Sequence, residues 1–140
     1  MWALLTFAAV AFLADQTTKR MVPAGIARSF GGPLVYIRQV QHHARLYYRP
    51  LFRTALVILW LFAALAAVWL QRSGQLLHGP LAEVGLGCAL GGAAGNLLDI
   101  LRRRHVVDFI DLGWWPVFNL ADVAIVAGLL LAFLGTVPRT

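Results

Sequence analysis

Long apolar runs separated by polar connections dominate this chain. The runs occupy residues 2–18, 54–71, 81–101 and 116–137, and residues 57–70 at the centre of the second run carry no charge. A helix of about 20 predominantly apolar residues crosses the hydrocarbon core of a bilayer, and each run is close to that length. The pattern therefore predicts an all-α membrane protein built as a bundle of four transmembrane helices.

The ends of the first run indicate that it is a retained helix. A signal peptide carries a basic region before its apolar core and small residues at a cleavage site. No basic residue precedes residues 2–18, and the run ends in the polar segment 15–19. The third run differs from the others because it is rich in glycine and alanine, which permits close helix packing in lipid.

Three connections join the four runs. The first, residues 20–53, is long and contains the β-prone stretch 34–40, which predicts a small sheet lying on the membrane. Connections 72–80 and 102–115 are short, and Trp114 and Trp115 are expected at the membrane interface. The expected architecture is one domain, residues 1–140, with four helices and a small β-sheet in the first long loop.

Composition and charge agree with a membrane protein. Hydrophobic residues make up 60% of the chain and charged residues only 13%, which is too little charge for a soluble surface. The formal net charge is +6, and the basic residues flank the apolar runs, so anionic phospholipid head groups are the expected partner rather than nucleic acid. The single cysteine, Cys88, lies inside an apolar run and is interpreted as a packing residue.

The acidic residues fall mainly on one side of the predicted membrane. With four spans, the end of the first helix, the end of the third and the start of the fourth lie on the same side. Five of the six acids therefore converge on one face, and only Glu83 belongs to the other. Ionisable groups at membrane depth are costly and usually mark a function. The five are Asp15, Asp99, Asp108, Asp111 and Asp122.

An Asn-x-x-Asp pattern occurs twice, and it contains the only two asparagines of the chain. Asn96 precedes Asp99, and Asn119 precedes Asp122, each by three residues. That spacing places both side chains on one helix face. Asparagines also tether transmembrane helices to one another. The repetition on consecutive helices favours a shared polar site, in which the amides orient neighbouring carboxylates.

Paired carboxylates suggest acid–base chemistry. Two carboxylates at close range in a low dielectric retain one proton between them, so one activates water while the other protonates a carbonyl oxygen. Spacing alone does not decide which aspartates pair. Other chemistries have less support: the four histidines lack a metal-ligand spacing, the two serines lie in different connections, and the glycine-rich segment 91–95 is not followed by the Lys-Ser or Lys-Thr of a phosphate loop.

Four short segments, in order along the chain, resemble the motifs of the signal peptidase II family. Each segment is weak alone, but four in order on four apolar runs are highly specific. They are DQTTK at 15–19, which resembles D-x-x-[ST]-K; GNLLD at 95–99, which resembles G-N-x-x-D; VVDFI at 106–110, which resembles V-V-D-F-I; and FNLAD at 118–122, which resembles F-N-x-A-D.

The resemblance implies an aspartic endopeptidase that cuts a lipoprotein signal peptide just before a diacylglyceryl-modified cysteine. By motif position, Asp108 and Asp122 are the catalytic pair, and no metal or cofactor is implied. The fold that the resemblance implies is a four-helix bundle with a small extracytoplasmic β-sheet in the first long loop. The expected protein is a monomer in the bacterial inner membrane, with its active site toward the outer face. The supporting or substrate-binding residues implied by the same motifs are Asp15, Lys19, Asn96, Asp99, Asn119 and Ala121.

The chain departs from the family pattern in two places. The family usually carries Arg directly after G-N-x-x-D, and this position is Ile100; one of the arginines at 102–104 could substitute for it. The family also carries an N-x-G-A-A-F type segment in the first long loop, whereas residues 40–47 contain neither Asn nor Gly. Substrate clamping is expected to differ at both places.

The charge distribution conflicts with the family orientation. Nine of the twelve Lys and Arg residues lie in the two connections that the family places outside, Lys19 directly precedes the first of these connections, and only Arg72 and Arg139 lie inside. The positive-inside rule alone would invert the protein. The four motifs favour the family orientation. Two other functions remain open: a catalytically silent relative that binds lipidated peptides, and a proton or ion conductor that uses its intramembrane acids.

Overall fold

The computed structural model describes residues 1–22, 28–29, 36–42, 45–73 and 79–136 of the chain, and the side chains at 28, 29, 41 and 42 are not considered. Described regular structure consists of four α-helices, three β-strands and one 3₁₀ turn. The helices are α1 (Trp2–Met21), α2 (Pro50–Ser73), α3 (Pro80–Arg103) and α4 (Leu120–Leu134); the strands are β1 (Arg28–Ser29), β2 (Tyr36–His42) and β3 (Val106–Asp111); the 3₁₀ turn is Arg45–Tyr48.

Helix α3 lies at the centre of the bundle, because its glycines let two neighbours approach to backbone contact. A Cβ on Gly91 would collide with the carbonyl of Ala8 on α1, and a Cβ on Gly92 would lie 2.5 Å from the carbonyl oxygen of Ala121 on α4. Small residues at such crossings are typical of helices packed in lipid. Helix α2 packs more loosely, with Ala67 as its one buried residue.

The helices bury polar groups and expose apolar ones. Among the least exposed side chains are Asp15, Asp99 and Asn119. Exposed apolar residues follow the outer faces of the helices, among them Leu5, Val10 and Leu13 on α1, Ile58, Phe62 and Trp69 on α2, and Val126, Leu129 and Phe133 on α4. By length and hydropathy α2 and α3 are candidate membrane spans, and α4 is a shorter apolar helix. This distribution is the one expected where hydrocarbon surrounds the bundle.

The sheet contains a strand that the sequence did not predict. The three strands are antiparallel in the order β1-β2-β3, with Ile37 opposite Ile110 and Val40 opposite Asp108. Strand β2 overlaps the β-prone stretch 34–40, whose first two residues lie outside the described part. Strand β3 lies in connection 102–115, for which only a short loop is predicted. The sheet therefore joins the first long loop to the α3–α4 connection, and it is not confined to that loop.

The described helices begin and end at other residues than the apolar runs suggest. Helix α1 continues to Met21, so Asp15 and Lys19 lie one turn apart on the same helix. Helix α4 begins at Leu120 rather than at residue 116, because Asn119 has an extended backbone and caps the first turn. Asp122 is therefore the third residue of α4, and the several preceding helical residues expected from the apolar run are absent.

Candidate active site

The polar residues meet where the C-terminal ends of α1 and α3, strand β3 and the start of α4 come together. A β-bridge helps to bring them there: Phe118 pairs with Ile110, which lays the residues before α4 alongside β3. All eight site residues indicated by the motifs belong to one connected hydrogen-bond network. They are Asp15 and Lys19 from α1, Asn96 and Asp99 from α3, Asp108 from β3, and Asn119, Ala121 and Asp122 at the start of α4.

Lys19 is the centre of a buried ion cluster. Its Nζ lies 2.8 Å from a carboxylate oxygen of Asp15 and 2.8 Å from one of Asp99, and it donates to Oδ1 of Asn96 at 2.9 Å. The side chains of all three ions are at most 1% exposed. An ammonium group has three donors, and here each has an acceptor. Buried ions are tolerated only when they are paired in this way, so the cluster is a rigid connection between α1 and α3.

Asp15 also connects α1 to α4. Its Oδ1 accepts the backbone N–H of Ala121 at 3.0 Å, which explains how Ala121 takes part without a polar side chain. The carboxylate lies against α3 at Gly95, where a Cβ would be 2.5 Å from Oδ2 of Asp15. Any side chain at residue 95 would displace this carboxylate.

Gln16 is a member of the network that the motifs did not indicate. Its Nε2 lies 3.1 Å from a carboxylate oxygen of Asp15, 3.2 Å from the carbonyl oxygen of Gly95 and 3.4 Å from Oδ1 of Asp99. Because Gln16 precedes Lys19 by three residues, helical periodicity alone places both on one face. That periodicity was the signal available in the sequence.

The two asparagines orient Asp122. The Nδ2 of Asn96 donates to Oδ1 of Asp122 at 2.8 Å, and the backbone N–H of Asn119 donates to Oδ2 at 3.1 Å. In return, Oδ1 of Asn119 accepts the backbone N–H of Asp122 at 2.9 Å, which completes a capping box. The repeated Asn-x-x-Asp pattern thus has two uses: at 119–122 it caps a helix, and at 96–99 its asparagine reaches across to α4.

Asn119 also holds Asp108, and so it joins the two aspartates. Its Nδ2 donates to Oδ1 of Asp108 at 2.7 Å and lies 3.0 Å from Oδ1 of Asn96. Asn119 itself is completely buried and Asp108 is 6% exposed, whereas Asp122 is only partly buried. One amide therefore separates Asp108 from Asp122, at the more open edge of the network.

The acids of this face differ in what neutralises them. Asp15 and Asp99 share Lys19, and Arg103 lies 3.4 Å from Asp99. Asp111 pairs with Arg38, and the N–H of Gly113 together with that guanidinium lowers the pKa of Asp111 from 3.8.

Amide groups hold Asp108 and Asp122, and no described cation lies within ion-pair distance of Asp122. These amides orient both carboxyl groups, and proton transfer requires groups oriented in this way.

Ile100 and the adjoining arginines occupy different surroundings. Ile100 is buried at 7% exposure among the helices, where the family pattern has Arg. Arg103 contacts Asp99, while the guanidinium of Arg104 lies over the ring of Tyr48, 5.8 Å from its centroid. Much of the divergent segment 40–47, including the side chains at 41–44, lies outside the described part, so its effect on substrate clamping stays a prediction.

Metal ligands do not gather in the described part of the chain. No three of the described His, Cys, Asp and Glu residues lie close enough together to hold a metal ion. His43 and His78 lie outside the described residues, and His105 contacts the carbonyl oxygen of Arg103 through Nδ1.

Comparison with known proteins gives consistent matches in sequence. A family model for signal peptidase (SPase) II matches residues 7–137. The lipoprotein signal peptidase of Nitratidesulfovibrio vulgaris (strain DP4) is 38% identical, with 92% of this chain and 86% of that protein covered. The lipoprotein signal peptidase of Rhodococcus jostii (strain RHA1) is 37% identical, with 91% of this chain and 69% of that protein covered. The chain spans 58% of the length of the Mycolicibacterium smegmatis relative.

The fold is also similar to solved structures. A bacterial membrane enzyme determined by the in meso method at 1.9 Å resolution has a TM-score of 0.80 and 21% identity, over 100% of this chain and 96% of that chain. A second, at 2.3 Å resolution, has a TM-score of 0.77 and 22% identity, over 96% of this chain and 87% of that chain. At such identities the likeness extends to the fold.

Proposed function

Since this chain belongs to the signal peptidase II family, we propose that it is a membrane aspartic endopeptidase that removes the signal peptide from diacylglyceryl-modified prolipoproteins. Cleavage takes place just before the lipidated cysteine. One observation carries the aspartic assignment: a single buried amide, that of Asn119, bonds to Asp108 through Nδ2 and to the backbone of Asp122 through Oδ1. It holds the two carboxyl groups in a fixed relation to each other.

The proposed reaction needs one ionised and one protonated carboxyl group. The ionised one takes a proton from water as the water oxygen attacks the scissile carbonyl carbon, and the protonated one gives its proton to the carbonyl oxygen. The C–N bond then breaks while the first carboxylic acid passes its proton to the departing nitrogen. The second carboxylate recovers a proton from the collapsing intermediate. Asn96 and Asn119 keep both groups oriented throughout.

The proposal places four helices across the bacterial inner membrane. Helix α1 has 20 residues, which corresponds to about 30 Å, the thickness of the hydrocarbon core. Helix α4 has 15 residues, or about 22 Å, and is preceded by the extended residues that lead from β3. The exposed apolar side chains on α1 and α4 support contact with lipid for both helices.

The decisive experiment is cleavage of a diacylglyceryl-modified prolipoprotein by the purified protein. We expect Asp108→Asn and Asp122→Asn each to lower kcat by about 10²–10⁴-fold, the usual contribution of general acid–base catalysis. Asp111→Asn is the matched control, because it removes a carboxylate from the same strand outside the network. Equal activity in all three variants would exclude the aspartic pair.

Two other functions predict different results. A catalytically silent relative would bind the lipidated substrate without cutting it, and the loss of the loop asparagine and the presence of Ile100 motivate that possibility. A proton or ion conductor would show flux in proteoliposomes that Asp122→Asn abolishes. The retention of both Asp108 and Asp122 favours the peptidase over the catalytically silent relative. The closed pairing of Asp15 and Asp99 with Lys19 favours a fixed site over a conduction path.

A further inference from the structure

The N-terminal end of α2 carries arginines without counter-ions. The sequence has no acidic residue between Asp15 and Glu83, so no carboxylate within this stretch can pair with its basic side chains. Among the described residues, no carboxylate lies within ion-pair distance of Arg49 or Arg53. The Nε of Arg53 is buried and has no hydrogen-bond partner in the described part of the chain. A buried donor left in this state is costly, and an anion would satisfy it.

These arginines are close to one another. The backbone N–H of Arg53 donates to the carbonyl of Arg49 at 3.2 Å, so the two side chains lie one turn apart on one face. Like charges at this spacing repel each other. Arg104, at the C-terminal end of α3, reaches the same region through its contact with the ring of Tyr48. We call Arg49, Arg53 and Arg104 the arginine cluster.

An apolar hollow adjoins the cluster. Its lining consists of Leu46, Arg49, Pro50, Leu51 and Phe52, and its volume is about 450 Å³. Arg49 is the one charged residue of this lining. Since α2 is a candidate membrane span, its N-terminal end lies at the depth of the phospholipid head groups. A cationic rim beside an apolar hollow at that depth complements a molecule with an anionic head and a hydrocarbon chain.

We propose that the N-terminal end of α2 binds an anionic phospholipid. The phosphate accepts hydrogen bonds from Arg49 and from the unpaired Nε of Arg53, because guanidinium groups match phosphate oxygens in geometry and charge. An acyl chain lies in the hollow against Leu46 and Phe52. A zwitterionic lipid gains less here because it brings its own ammonium group into the arginine cluster. Bound lipid holds this end of the bundle, which also carries the polar network, at head-group depth.

The test measures lipid binding and is independent of peptidase activity. Phosphatidylglycerol is titrated into the purified detergent-solubilised protein, and affinity is measured by native mass spectrometry and by the shift in melting temperature. We expect Arg49→Gln and Arg53→Gln each to weaken binding about fivefold, and the double variant on the order of 25-fold. Arg72→Gln is the matched control, because it removes the same charge from the exposed other end of α2 and should leave the affinity unchanged.

Several outcomes would overturn the proposal. These are equal affinity for phosphatidylglycerol in all four variants, equal affinity of the parent for phosphatidylcholine, or the same stabilisation by soluble glycerol phosphate, which lacks an acyl chain. Arg49 is exposed, so Arg49→Gln alone gives a valid result even where the partly buried Arg53→Gln fails to fold. Arg49→Lys keeps the charge but lacks the planar guanidinium, so its affinity should lie between those of the parent and of Arg49→Gln.

Discussion

Lys19 shows how a single buried charge organises the polar end of the bundle. Its three donors reach Asp15, Asp99 and Asn96, and through Asn96 the cluster is connected to Asp122. The spacing of Asp15 and Lys19 along α1 indicates a pair, but Asp99 is 80 residues away in sequence from Lys19 and joins only through the fold. Gln16 enters the network for the same reason, since its partners on α3 are remote in sequence.

We expect Lys19→Met to destabilise the protein by about 3–5 kcal/mol, because it leaves two buried carboxylates without their shared cation. The free energy of unfolding in mixed micelles measures the effect. Arg20→Met is the control: it removes a neighbouring positive charge from an exposed position and should change the stability by less than about 1 kcal/mol. Equal stability of the two variants would contradict the central role of Lys19.

At the level of elements, α3 determines how closely the bundle packs. Gly87 and Gly91 face α1, whereas Gly85 and Gly92 face α4, so one helix has two glycine-lined faces. The glycine-rich third run predicts close packing, but it does not say which glycine meets which neighbour. That division follows from the angle at which the helices cross.

Gly91→Ala should lower stability by about 1–3 kcal/mol, since the added Cβ would meet the backbone of Ala8, which cannot rotate away. Thermal unfolding in detergent measures the change. Leu129→Ala, on the exposed face of α4, removes three carbon atoms and should have a smaller effect, because that side chain faces the surrounding lipid or detergent. A larger loss for Leu129→Ala would argue against the glycine contacts.

Strands β2 and β3 are joined by the ion pair of Arg38 and Asp111, which makes their stability depend on pH. The folded-state pKa of Asp111 is lowered from 3.8 by the Gly113 N–H and by Arg38. Its stabilising contribution is therefore present above about pH 4 and is lost as the pH falls through the lowered pKa. The difference in melting temperature between the parent and Asp111→Asn should shrink between about pH 5 and pH 2. Arg20→Gln is the control, and its difference in melting temperature from the parent should not change with pH. A difference for Asp111→Asn that is equally independent of pH would contradict the prediction.

The whole molecule has the arrangement of a protein whose solvent is lipid. Carboxylates, an ammonium group and two asparagines lie between the helices, while leucine, valine and phenylalanine cover the outer faces. Successive helices alternate in direction, so the C-terminal ends of α1 and α3 and the N-terminal end of α2 lie on the same side. Most basic residues collect there together with the candidate site, which is why charge alone predicts the opposite orientation from the motifs.

Cysteine labelling decides between the two orientations. Trp114 is 77% exposed in the α3–α4 connection, so Trp114→Cys in a Cys88→Ala background presents one accessible thiol. We expect a membrane-impermeant maleimide to label it from outside intact cells. Labelling only after permeabilisation would place the site in the cytoplasm. Ser73→Cys is the reference, because that residue is exposed at the far end of α2 and should be labelled only after permeabilisation. Gln71→Cys is unsuitable as a reference because that side chain is partly buried.

The sequence by itself determined the four apolar runs, the convergence of acids on one side and the family motifs, because hydropathy and short spacings are local properties of the chain. The tertiary structure alone decided that Asn119 joins Asp108 to Asp122, that Gln16 belongs to the ion cluster and that 106–111 is a strand. The physical reason is that each of these depends on partners from separate elements. Strand β3 forms only where β2 pairs with it. The acceptors of the buried Asn119 amide come from other elements, so they are determined by how the helices and strands pack together.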